Sequence, residues 1–250
     1  MQKTLAMQRT LIALYGIGAY ALAVLALAMS LAFVGDMFIL KTIDRGGEAP
    51  IGEAVVINTL LLGLFAVQHS GMARKAFKRW LTAFLPPAAE RSTYVLASAL
   101  LLLLLIWQWR PIPDVVWSIS SEPAYSVLMA LFWLGWIILF ASTWMIDHFD
   151  LFGLKQVYNN WRNKKAADPT FATPFFYRFV RHPIYFGLLL AFWSTPRMTL
   201  GHLLFAGLAT SYIFIGIWFE ERDLVTQFGD AYRDYRRRVP MIVPWLRGKQ

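Results

Sequence analysis

The chain has 250 residues, 58% of them apolar and only 16% charged, with a mean hydropathy of +0.48 and a formal net charge of +9. A soluble surface takes about 25% charged residues and a disordered chain needs low hydrophobicity, so both a water-soluble globule and a disordered segment are excluded. With no cysteine there is no disulfide, thiolate nucleophile or cysteine-held metal centre, and no metal site is expected from the four histidines, His69, His148, His182 and His202.

The first uncharged run, Thr10 to Gly35, exceeds the roughly 30 Å hydrocarbon core at about 1.5 Å per helical residue, and predicts a spanning helix. Lys3, Arg9 and Ala26-Leu27-Ala28 mimic a signal peptide, but such a peptide has an apolar stretch of only about 7–15 residues. A retained span is the better reading. Further apolar runs follow at 54–68, 93–109, 124–146, 183–195 and 198–219, with Trp107, Trp109, Trp117, Trp133, Trp144, Trp193 and Trp218 placed as interfacial residues often are. The last two runs, separated only by Thr195-Pro196-Arg197, predict a tight helical hairpin whose first member is short for a complete crossing. The expected fold class is all-α: one polytopic membrane helical bundle over residues 1–250, with five to six apolar helical segments and amphipathic cytoplasmic helices. One of these amphipathic helices is expected over 72–84, where Arg74, Lys75, Lys78 and Arg79 alternate with Phe77, Trp80, Leu81 and Phe84. Another follows at Leu224, Phe228, Tyr232 and Tyr235, ended by Pro240 and Pro244. Anchoring on the inner leaflet accounts for both.

Lysine and arginine mark the cytoplasmic side. If the N-terminus is inside, 20 of the 24 fall there and only Lys41, Arg45, Arg110 and Arg197 outside; counting Asp and Glu, the split is +11 inside against −2 outside. Both termini are then cytoplasmic. The inner leaflet of the bilayer explains the net charge, so no nucleic-acid partner is expected.

Polar groups gather at the cytoplasmic ends of the spans. Gln68-His69-Ser70 and Asp147-His148-Phe149-Asp150 close the second and fourth runs, Arg181-His182-Pro183 opens the hairpin, and Glu220-Glu221-Arg222-Asp223 closes it. Each alone reads as an interfacial cap, but four on one face read as a site. Pro183 suits a first helical position, so a helix starts near His182 with its free N–H groups aimed at the cytoplasm, where they and Arg181 attract a carboxylate or phosphate. Tyr185 offers a flat wall, Gly187 a close approach to backbone, and Glu220 and Glu221 offer anions to an amino group or ribose hydroxyls. The aromatic run Phe132, Trp133, Trp136, Phe140 and Trp144 suggests a small closed pocket.

RHPIYFG at 181–187, followed by EERDLVTQFGDAYRDYRRRVPMIVP at 220–244, resembles the C-terminal module of the isoprenylcysteine carboxyl methyltransferase and phospholipid methyltransferase superfamily. The resemblance implies a membrane enzyme that uses S-adenosylmethionine, held by Arg181, His182, Tyr185, Gly187, Glu220, Glu221 and, upstream, Gln156, with 181–244 as the cofactor module. QHSGMARKAFKRW (68–80), ERSTYVLAS (90–98), WRPIP (109–113) and DHFDLFGLKQVYNNW (147–161) resemble the narrower group of bacterial methanethiol S-methyltransferases. Membrane proteins linked to denitrification and a haem-using carotenoid isomerase share parts of this background. The implied reaction methylates a small thiol in the bacterial inner membrane; isoprenylcysteine- or phospholipid-type methylation and haem binding by the histidines are the alternatives.

Displacement at a sulfonium methyl asks the protein for alignment and desolvation. The acceptor must be a thiolate, and an ordinary alkyl thiol is mostly protonated at neutral pH, as cysteine itself is with a pKa of ~8.5. His148, Asp147 and His69 are therefore the candidate catalytic residues. Neighbours on a helix point about 100° apart, so Asp147 could orient His69 instead of His148, or His148 could act alone.

Overall fold

The computed structural model describes residues 2–47, 49–165 and 171–244; Glu48, Asp168, Arg247 and Lys249, which entered the charge count above, lie outside the described residues. Five helices are long and apolar enough to cross a membrane: α1 (Gln2–Val34), α2 (Ile51–Ala73), α4 (Pro87–Gln108), α5 (Ala124–Ile146) and α9 (Leu200–Phe228). Between them lie α3 (Lys75–Leu81), α6 (His148–Leu151), α7 (Leu154–Trp161), α8 (Pro183–Trp193) and, last, α10 (Asp230–Arg238). The chain is an integral membrane protein. It divides into two compact units, one of residues 1–112 and 147–168, the other of residues 113–146 and 169–250.

In the first unit α1 lies along α4 and α7, and α2 packs on α4. Close approach is possible because α1 presents Ala19, Ala23 and Ala26, all 5% exposed or less, and its Ala23 and Ala26 share a core with Tyr94, Val95 and Ala99 of α4. Small residues are what helices use to associate in lipid, where burial of apolar surface gives no drive. Asn58 of α2, fully buried, donates to the Arg110 carbonyl at 2.7 Å and accepts the Arg110 N–H at 2.9 Å. Trp109 differs from its interfacial expectation. It is fully buried, and its indole N–H donates to the Ile43 carbonyl at 3.0 Å.

In the second unit α5 and α8 run antiparallel, with Gly135 against Gly187 and Ala191. A Cβ on Gly187 would lie 2.5 Å from the Gly135 carbonyl oxygen and 2.8 Å from the Leu139 nitrogen. Gly187 thus serves helix contact, a role that its sequence position did not suggest. Gly187→Ala is expected to force the helices apart and cost about 1–3 kcal/mol, read as a fall in the detergent unfolding midpoint; an unchanged midpoint would contradict the contact.

The expected hairpin takes another form. α8 has 11 residues, roughly 16 Å at 1.5 Å per residue, and is followed by extended chain whose strand β2 (Arg197–Thr199) pairs antiparallel with β1 (Val115–Ser118). The ribbon is locked by Ile119 N–H to the Pro196 carbonyl and Leu200 N–H to the Asp114 carbonyl, both 2.8 Å. Pro196 cannot extend α8, and the strand answers the backbone groups that a broken helix leaves unpaired. His202, 1% exposed, is 2.9 Å from the Phe192 carbonyl through Nε2 and so caps the end of α8, while Thr199 caps α9 by accepting the His202 N–H.

The aromatic run divides between interior and exposed positions. Phe132 and Trp136 are buried at 2% and 3%, but Trp133 and Trp144 are 38% and 59% exposed on the outside of α5. An apolar helix in lipid carries aromatics on every face, so composition did not reveal which were interior.

Candidate active site

His182 is the residue before α8, and the returning tail is bound to it: the Arg181 N–H donates to the Pro240 carbonyl and the His182 N–H to the Met241 carbonyl, at 2.9 and 3.1 Å. Pro183 at the first helical position follows the sequence reading. Facing this start is the acidic pair of α9. The Arg181 guanidinium donates from Nε to Glu221 Oε1 at 2.7 Å and from Nη1 to the Arg236 and Val239 carbonyls at 2.8 and 2.9 Å. Arg181 is therefore committed to Glu221 and to the end of α10, whereas its sequence position suggested an anion from solution. His182 Nε2 lies 3.1 Å from Glu221 Oε1 and its Nδ1 3.8 Å from Glu220 Oε2. The two glutamates differ in access: the side chain of Glu221 is 12% exposed and that of Glu220 is 45% exposed. Glu221 fastens the site together, and Glu220 is the acid open to a ligand.

Around this pair stand three tyrosines that sequence reasoning did not assign. Tyr235 donates to the Tyr177 carbonyl at 2.5 Å, joining the turn at Phe175–Arg178 to α10. The Tyr177 and Tyr232 hydroxyls are buried with no hydrogen-bond partner among the described residues. Burial first, then the carboxylate of Glu220 at Tyr177 and that of Glu221 at Tyr232, push both phenols up from their ordinary value, so both stay protonated donors. The FG-x-x-Y-x-x-Y spacing was the signal: Gly229, at φ 57°, ends α9, and the turn that follows brings Tyr232 and Tyr235 inward. Tyr185 is tilted against His182 with ring centroids 5.7 Å apart.

His69, Asp147, His148 and Gln156 belong to the first unit. His148, 7% exposed, shares a 3.0 Å hydrogen bond with the Tyr20 hydroxyl through Nε2, and Phe152 covers its ring at 4.7 Å. Burial pushes the His148 imidazole below its usual 6.5, which keeps it neutral at neutral pH. Asp147 turns elsewhere. One of its oxygens accepts the Asp150 N–H at 3.0 Å, capping α6, and the other meets the Lys155 ammonium, which holds the carboxyl below its ordinary range. Nor does Asp147 orient His69, whose ring is engaged by the Tyr94 hydroxyl at 2.8 Å and by Ser98 Oγ at 3.0 Å and is stacked on Phe65. The structure thus gives each histidine a tyrosine companion. Tyr20 went unrecognised because a tyrosine within an apolar run reads as lipid-facing. Gln156 donates to the Asp150 carbonyl and side chain at 3.1 and 3.2 Å; it belongs to the first unit and the six residues grouped with it to the second.

The chain resembles known proteins over most of its length. Residues 57–219 match the family described as NnrU protein. Methanethiol S-methyltransferase of Mycobacterium tuberculosis is 53% identical over 239 residues, covering 96% of this chain and 98% of that protein. Methanethiol S-methyltransferase 2 of Bradyrhizobium diazoefficiens is 55% identical over 238 residues, 95% of this chain and 92% of its own length. A Nurim homolog of Drosophila pseudoobscura pseudoobscura is 30% identical over 179 residues, 69% and 71% of the two chains. No solved structure matches. With a family match over most of its length and relatives aligned almost end to end, the chain belongs to the NnrU family, among proteins that bear the methanethiol S-methyltransferase name.

Proposed function

We propose that the chain transfers a methyl group from S-adenosylmethionine to methanethiol, forming dimethyl sulfide, in the bacterial inner membrane with both termini in the cytoplasm. The observation that carries this reading is identity at 53% and 55% of aligned positions, over 96% and 95% of the chain, with enzymes named for that reaction.

The second unit fits the donor chemically. S-adenosylmethionine has an ammonium, a carboxylate and ribose hydroxyls. Glu220, with its side chain 45% exposed, can receive the cation or a ribose hydroxyl. The Tyr177 and Tyr232 hydroxyls supply donors to an oxygen acceptor, and a buried polar group left unmatched costs about 1–3 kcal/mol that such a ligand recovers. When bound, the sulfonium supplies an electrophilic methyl group with a neutral thioether as leaving group. The chain's own tasks are to fix the donor, exclude water and remove the thiol proton. We assign that proton to His148, neutral through burial, with Asp147 holding the start of its helix and His69 as the second imidazole of the unit. As the proton leaves, the acceptor sulfur forms its bond to the methyl carbon, and the electron pair of the breaking bond returns to the donor sulfur.

Calorimetry of the purified protein with S-adenosylmethionine and headspace detection of dimethyl sulfide test this directly. Binding and product formation are expected, and Glu220→Gln should weaken binding about tenfold, the loss of a hydrogen bond to a charged group, with the unfolding midpoint unchanged. A folded protein that neither binds the donor nor forms the product would end the proposal.

A further inference from the structure

Only Lys41, Arg45, Arg110 and Arg197 fall on the charge-poor side of the predicted topology. Three of the four converge at one end of the first unit. There the loop joining α1 to α2 leaves a groove of about 760 Å³, walled by Met29 of α1 and by Leu103, Ile106 and Trp107 of α4, with Lys41 and Arg45 at its rim. That volume lies within the roughly 300–1,000 Å³ of ligand sites. The loop carries Phe38 and Leu40 outward, 81% and 97% exposed, and Phe38 adopts a left-handed φ of 65°. A bulky residue rarely holds that conformation without compensation, and an apolar tip of this kind suits a bilayer better than water.

The cations are unequally matched. Arg45 Nε is 2.8 Å from Asp36 Oδ1. The Lys41 ammonium donates to the Trp107 carbonyl, which uses one of its three N–H groups, and among the described residues the charge that acts on it is the like charge of Arg110. Burial first and Arg110 second push Lys41 below its ordinary value, so an anion at this rim would relieve both. An apolar trough with an unrelieved cation at its mouth is complementary to one class of molecule, an acidic amphiphile.

We infer that this groove binds an anionic phospholipid of the surrounding bilayer, its acyl chain along Met29, Leu103 and Ile106 and its phosphate on Lys41. A zwitterionic lipid brings a compensating cation to the same rim and fits less well. The site is separate from methyl transfer and stands or falls apart from it.

The test is the unfolding midpoint of the full chain in detergent with added phosphatidylglycerol or phosphatidylcholine of identical chains. Phosphatidylglycerol is expected to give a midpoint about 2–4 °C higher, the response of a chain this size to preferential binding. Lys41→Gln, and Leu103→Trp, which fills the trough without altering charge, should each lose most of that difference. Equal midpoints in the two lipids, or a full difference kept by Lys41→Gln, would overturn the site. So would an equal response to soluble glycerol 1-phosphate, since that would show a simple anion site. Native mass spectrometry gives a reading independent of the variants: the unaltered protein should retain phosphatidylglycerol in preference, and equal retention of both lipids would overturn the proposal.

Discussion

Replacing His148 with alanine is expected to lower methanethiol methylation about 10²–10⁴-fold, the usual contribution of a positioned base, with donor affinity nearly unchanged if Glu220, Tyr177 and Tyr232 hold the donor as proposed. The pH dependence has a definite sign. A general base must be neutral, and burial sets the His148 value below 6.5, so the unaltered enzyme should keep its rate at acidities where an ordinary imidazole is half protonated. In His148→Ala the rate should instead climb with pH, as bulk hydroxide generates the thiolate, and a more acidic thiol should be rescued more readily. Profiles of kcat/KM against pH for both proteins decide the matter. A variant with no recovery at high pH, but intact donor binding, would remove His148 as the base and turn attention to His69 with its Tyr94 partner.

Arg181→Ala should destabilise the protein by about 3–5 kcal/mol, the cost of stripping one partner from a buried ion pair. The side chains of Arg181 and Glu221 are only 10% and 12% exposed, and the substitution leaves Glu221 to His182 and the more distant Arg236 guanidinium, at 3.1 and 3.8 Å, and strips the Arg236 and Val239 carbonyls of the donor they had in Arg181. Arg181→Lys should recover only part of the loss, because one ammonium cannot reproduce the planar fork that reaches Glu221 and two carbonyls. The paired change Arg181→Met with Glu221→Leu should restore much of the stability while leaving donor binding poor. Unfolding midpoints and donor titrations on the three variants separate these outcomes. A stable Arg181→Ala protein with lost donor affinity would return Arg181 to the ligand-binding role its sequence position suggested.

The long spans were legible because length and hydropathy suffice to mark them, and α1, α2, α4, α5 and α9 include the predicted runs at 10–35, 54–68, 93–109, 124–146 and 198–219 almost in full. The convergence of His182 with Glu220 and Glu221 was legible because a helical hairpin returns its end to its beginning. Other features depend on pairings that no local pattern announces. The ribbon joins Val115–Ser118 to Arg197–Thr199 across some 80 intervening residues, and strands of four and three residues carry too little periodicity to be recognised. The allegiance of Arg181 was hidden for a similar reason: a guanidinium before a helix start can serve an external anion or a neighbouring carboxylate, and only the approach of α9 decides. The partner of Asp147 was left open in sequence, between His69 and a place beside His148, and the turn of α6 directs it to Lys155.

The shortness of α8 has a consequence for how the protein is made. Eleven residues fall well short of the roughly 20 that hold a helix across a bilayer, so α8 cannot halt in the membrane as an independent segment during synthesis. It must enter together with α9, and the Phe192 carbonyl in its last turn becomes tolerable only when His202, ten positions beyond, has arrived to donate to it. The surface on which it settles, Gly135 and its neighbours on α5, is already in place by then because it is synthesised first. Biogenesis of the second unit is therefore sequential. A released chain truncated between Trp193 and His202 should leave α8 accessible from the side it entered, and only the completed pair should become protected.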